Sequence, residues 1–171
     1  MTMKISKVQL TNILTEWLHE YLEKKYSKSH SIEVFQPKSN ISKIANSKIK
    51  KLDGYSSFEF KPDILGLLED IETKEISLIL LNRSISSISL REIGEMYCYC
   101  KLANPEFAFI VSLKGVAEEI QLLLLNKNME KSILNYTNDN SIILARWNTN
   151  NDNLDQDSIF PLKFREEFND Q

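Results

Sequence analysis

The sequence predicts a single α/β domain with a mixed central β-sheet flanked by helices, and three observations carry that prediction. The 171-residue chain is 42% hydrophobic and 26% charged, the composition of an ordinary globular domain that can bury a core without staples. Strand-like apolar runs alternate with helix-like periodic segments in the order α β β β α β α β. One helical segment lies between two strands apolar on both faces, the pattern of a crossover joining parallel strands, while a short turn elsewhere predicts an antiparallel hairpin. The domain is expected to span 1–171, with a core of about 8–147 and a tail at 148–171.

The first element is "VQLTNILTEWLHEYLEKK", whose Val8, Leu10, Ile13, Leu14, Trp17, Leu18, Tyr21 and Leu22 recur at helical spacing on one wide face. "SIEVFQP" is a short strand stopped by Pro37. "KSNISKIANSKIKKLDG" is polar and lysine-rich, with a weak helical turn around 41–49 and Gly54 as punctuation. "YSSFEFKPDILGLLED" is expected as a strand running into a turn, and "KEISLILLNRS" as the next strand, apolar on both faces and joined to the first through "EDIETK". "SLREIGEMYCYCKLAN" reads as a helix with Ser89 as N-cap and Leu90, Ile93, Tyr97, Cys100 and Leu102 as apolar positions. A buried strand "FAFIVSLKG", a short helix "VAEEIQLLLLNK" and a last strand "SIILARWN" follow. The tail from 148 shows no pattern.

Charge and cysteine usage narrow the class. The net charge of −3 does not advertise nucleic-acid binding, but its distribution is uneven. Between Val34 and Leu52 there is no acid, and Lys38, Lys43, Lys48, Lys50 and Lys51 all fall there. An internal lysine segment is the footprint that a phosphate backbone selects; its bland counterpart is a solvated loop. Cys98 and Cys100 are two apart on a helix and point in different directions, so they are expected as free thiols, and neither His19 nor His30 has zinc-site spacing to them. No apolar run approaches the roughly 20 residues of a membrane span. "MTMKISKVQL" lacks the features of a signal peptide, which places the expected compartment in the cytoplasm.

Three segments in this order carry a family likeness: "KPD" at 61–63, the apolar strand at 76–81, and "ISLREIGEMYCYCKLANPEFAFIVS" at 88–112. Over roughly residues 8–147 the chain resembles the PD-(D/E)xK nuclease superfamily, which includes type II restriction enzymes, archaeal junction resolvases and small mobile-element nucleases. Leu90, Arg91, Ile93, Gly94, Tyr97 and Ser112 fit the family pattern of a helix and the strand after it. The resemblance implies a restriction-endonuclease-like fold and Mg²⁺-assisted phosphodiester hydrolysis. In that chemistry an Asp and a Glu hold the metal, and a Lys two residues after the Glu projects from the same strand face to place the attacking water.

Asp63 matches the first ligand. The Glu position falls on Asn82 and the Lys position on Ser84; a shift of one residue puts Leu81 and Arg83 there instead. The second half of the site is therefore replaced. Glu95 is the best candidate for a migrated carboxylate, Arg83 and Arg91 for the positive charge, and Glu16 and Glu20 are weaker stand-ins. The expected function is a nuclease-fold DNA-binding protein with a degenerate, inactive metal site, contacting DNA through Lys43, Lys48, Lys50 and Lys51. The alternatives are a Mg²⁺-dependent endonuclease rebuilt on Asp63 and Glu95, and a non-catalytic subunit that pairs with itself or with an active nuclease paralogue.

Overall fold

A computed structural model describes residues 4–168, which form two compact units, one up to Arg83 and one from Ser84 onward. The chain is α/β, with four α-helices, six strands and both parallel and antiparallel pairings among the described residues.

In the first unit, helix α1 (Lys7–Tyr26) begins at a capping box. Ser6 Oγ accepts from Gln9 N at 3.2 Å and Gln9 Oε1 accepts from Ser6 N at 2.8 Å, so two orphan donors of the first turn are satisfied. Lys24 and Lys25 close the helix at its negative end. Leu10, Leu14, Trp17, Leu18, Tyr21 and Leu22 are buried, as the periodicity predicts, with Trp17 and Tyr21 stacked at 5.6 Å. Val8, expected on that face, is exposed in the first turn. The helix packs on strands β1 (His30–Phe35) and β2 (Ile64–Asp70), which pair antiparallel with each other, and β2 pairs antiparallel with β3 (Ile76–Ser84) in turn.

Ile64 to Leu68 are buried in succession, the signature of a strand covered on both faces. Asp70 makes the expected hairpin turn: its Oδ1 accepts from the backbone of Glu72 and Thr73 at 2.8 Å each, and these bonds hold its carboxyl below the usual range. The strand predicted over 55–70 is shorter than expected. Residues 55–57 form a 3₁₀ turn, and β2 starts only at Ile64, so Asp63 stands just outside its mouth.

The lysine-rich segment is ordered by its apolar residues. Three 3₁₀ turns, Ile41–Lys43, Ile49–Lys51 and Tyr55–Ser57, replace the single weak turn expected. Ile41 and Ile49 are fully buried, and Ile41 N and Ser42 N donate to the carbonyls of Phe60 and Phe58 at 3.0 Å each.

In the second unit, helix α2 (Leu90–Ala103) starts at Ser89 with a second capping box, to Glu92, and ends at Asn104 in the left-handed conformation. Its buried stripe is Ile93, Met96 and Cys100. Leu90 and Leu102, assigned to that stripe from the sequence, are exposed, because the stripe follows Met96 instead. Cys98 and Cys100 are both free thiols, the first exposed and the second buried, and burial pushes the Cys100 thiol up to about 12. Burial also raises the Tyr136 phenol, whose O–H donates to the Pro105 carbonyl at 2.8 Å.

Strand β4 (Phe107–Ser112), buried throughout, pairs in parallel with β5 (Ile142–Asn148). The connection carries two helices, α3 (Glu118–Leu124) and α4 (Lys127–Leu134), of which the sequence predicts only the first. The tail is also a correction: residues 153–160 form strand β6 (Asn153–Phe160), antiparallel to β5, with a register shift between Leu144 and Arg146. Leu154, Ile159 and Phe160 are its buried residues.

Candidate functional site

The antiparallel register sets Ile64 opposite Leu81, so the residue before β2 faces the residue after Leu81. Asp63 N donates to Asn82 Oδ1 at 3.1 Å, and Asp63 Oδ2 accepts from Arg83 N at 2.9 Å. The Arg83 guanidinium lies over the same oxygen, with Nη1 at 3.6 Å. Its Nε donates to Thr11 Oγ1 at 2.9 Å, and that hydroxyl donates to Lys7 O at 2.8 Å. The result is a clasp joining the first turns of α1, the mouth of β2 and the end of β3. Both charged side chains are about three-quarters covered.

This donor set does not fit a hard divalent cation, which takes several oxygen ligands. Asp63 is the single carboxylate of the clasp, and one of its oxygens already faces a guanidinium. Asn82 turns its amide oxygen to the Asp63 backbone. Among the described residues no group of three or more His, Cys, Asp or Glu side chains is placed to share a metal.

Of the other sequence candidates, Ser84 bonds within its own loop: its Oγ donates to Ser86 O at 3.0 Å and accepts from Ser86 N at 3.1 Å. Glu95 is exposed on α2 and accepts from Tyr99 Oη at 2.5 Å. Arg91 is exposed in the first turn of α2. Glu16 and Glu20 are exposed on α1, beside a shallow groove of about 310 Å³ that His19 and Val34 also line. Ser112 is buried, donates to the Ser86 carbonyl and accepts from Lys114 N at 2.9 Å. It thereby fastens the loop before α2 to the segment after β4.

The five lysines of 38–51 separate into two kinds. Lys48 Nζ sits 3.0 Å from Glu33 Oε1 and donates to Ser31 Oγ at 3.0 Å. Asn46 Nδ2 takes the other Glu33 oxygen at 3.1 Å. Partial burial raises the Glu33 carboxyl, but the bonds from Lys48 and Asn46 together with the Lys48 charge outweigh it, and the group lies below its ordinary range. Lys51 Nζ is 3.5 Å from Glu69 Oε2. These two lysines are spent in holding the segment to β1 and β2. Lys38, Lys43 and Lys50 are exposed and make no ion pair among the described residues. The structure thus displays three uncompensated ammonium groups on an ordered, acid-free segment anchored by Ile41 and Ile49.

Sequence reasoning missed Thr11 and Glu33 as partners. Thr11 carried a signal, a hydroxyl on the buried side of an otherwise apolar helix stripe; Glu33 carried none beyond its place in a strand near the lysines. Comparisons of the chain with protein-family models, with curated proteins and with solved structures found no match.

Proposed function

We propose that this chain is a DNA-binding protein on a restriction-endonuclease-like fold in which the metal site has become an Asp–Arg clasp. The observation that carries the reading is the set of three unpaired lysines, Lys38, Lys43 and Lys50, on a segment from which acids are absent. Phosphate oxygens are the common partner of such a set, since contacts to the backbone require only reachable cations. The clasp supports the non-catalytic half of the reading: Arg83 supplies at Asp63 the positive charge that a metal would supply. The sequence order of "KPD", the apolar strand and "SLREIG" supports the fold assignment.

The test is a titration of DNA against salt. Binding is expected to weaken linearly in log–log form with a slope near −3, about one unit per lysine. Each of K38A, K43A and K50A is expected to reduce the slope by about one, while K48A and K51A are expected to leave it unchanged. Binding indifferent to salt, or none at all, overturns the reading.

A second reading, a partner subunit, is favoured by one observation. Leu122 and Leu125 are 66% and 62% exposed at the end of α3, with Met129 and Leu162 also exposed. Leu162 N is 3.5 Å from Glu130 Oε2, which sets Leu162 beside α4. Contiguous exposed apolar surface is where association sites are found. Sedimentation is expected to show self-association that L122E/L125E abolishes; a monomer at all concentrations removes the self-pairing version.

A further inference from the structure

Where β1 ends, the chain forms a groove of about 320 Å³. Phe35, Pro37 and Ile44 supply its apolar lining, and Lys38 and Lys43 are two of its walls. Gln36 fixes the strand end to α1, its Nε2 donating to Asn12 Oδ1 at 2.9 Å and to Thr15 Oγ1 at 3.1 Å. The nearest acid in sequence, Glu33, is already taken up by Lys48 and Asn46.

The two lysines here have an apolar neighbour that a purely electrostatic phosphate tracker does not need. An intact duplex offers such a surface phosphates, sugars and base edges but no base face, because the faces are stacked inside. A single strand offers both halves of the complement: a flat apolar base face and a charged phosphate on either side of it. The groove is at the small end of ligand-pocket sizes, right for one nucleotide and too small for a duplex.

We infer that the preferred DNA partner is single-stranded, with one unstacked base against Phe35, Pro37 and Ile44 and its flanking phosphates on Lys38 and Lys43. This rests on the DNA-binding reading above and specifies the strand state. Specificity for base identity is not expected, since every base has a face to stack.

The experiment compares a fluorescent oligothymidylate with a duplex of the same length, using the full chain in one salt buffer. The single strand is expected to bind about tenfold more tightly, the worth of one stacked base. F35A is expected to remove that preference. Because Phe35 is half-buried and its loss can unsettle β1, a second variant is needed. Ala45 is exposed and lines the groove, so A45W fills it without touching the core. It is expected to bring single-strand affinity down to the duplex level. Equal affinity for the two forms, a duplex preference, or a single-strand preference that survives A45W overturns this inference while the DNA-binding reading stands. Failure to bind either probe overturns both.

Discussion

G66V is expected to destabilise the protein by about 3 kcal/mol, the upper range for overpacking, and to lower its thermal midpoint by roughly 6–12 °C in a chain of this size. Gly66 lies in the middle of β2, facing Val34 on one side and Ile79 on the other. A Cβ there meets Ile79 Cβ at 3.0 Å and Leu22 Cδ1 at 3.4 Å. The first of these belongs to a stiff, β-branched residue close to the backbone of the neighbouring strand and cannot swing away. The missing side chain is what lets Leu22 of α1 settle against the sheet. Gly94 is the informative control. Nothing lies within 4 Å of its ideal Cβ, and it sits inside α2. G94A is expected to stabilise by about 0.5–1 kcal/mol, the helical gain of alanine over glycine. Thermal or chemical melts of both variants check the pair; a G66V protein as stable as the parent would show that the helix and sheet are not tightly joined at this point.

D63A is expected to cost about 2 kcal/mol and to change DNA affinity less than twofold. The carboxylate accepts from Arg83 N and faces the Arg83 guanidinium, so its removal loses a charge-assisted bond and leaves a three-quarters covered cation with Thr11 alone. D63N keeps an acceptor for the Arg83 amide and is expected to cost about half as much. The sign of the effect separates two roles. Acids held for function are often strained, and truncating them raises stability. A more stable D63A protein would therefore mark Asp63 as a functional acid and not as the clasp described here; urea melts with filter-bound DNA measured alongside read both quantities.

Long, strongly periodic segments were legible in the sequence. Helix α1 repeats leucine and aromatic residues at helical spacing, and β3 and β4 carry the apolar runs Leu78–Leu81 and Phe107–Val111. The failures have physical reasons. Strand β6, "NLDQDSIF", has its buried residues at the two ends and polar ones between them, so neither a period of two nor an apolar run is visible. Helix α4, "KNMEKSIL", buries only Leu134, and its signal was the start alone: Asn126 Oδ1 accepts from Asn128 N and Met129 N as an N-cap. On α2 the stripe turned on Met96, a residue whose hydrophobicity a tyrosine and two leucines outweighed on paper.

The candidate site was legible in part. Asp63 and Asn82 were put at one site by the family alignment, and the Ile64–Leu81 register brings them together; Arg83 was already a candidate for positive charge there. That the guanidinium would reach across to Thr11 depended on the placement of a helix 72 residues earlier in the chain, which no local pattern encodes. The division of the lysines into paired and unpaired depended in the same way on Glu33 and Glu69, both outside the segment.

The lysine segment is held down by two kinds of fastening, and they respond differently to electrolyte. The Lys48–Glu33 and Lys51–Glu69 pairs are partly exposed and worth at most about 1 kcal/mol each, a contribution that salt erodes. Ile41 and Ile49, fully buried, contribute roughly 1.5–3 kcal/mol each through a force that salt does not weaken. The segment therefore behaves as a keyboard bolted to its frame by grease-filled sockets, with ionic shims that only trim its level. Raising the ionic strength loosens the shims but not the bolts, so the three exposed ammonium groups keep their spacing as salt is added.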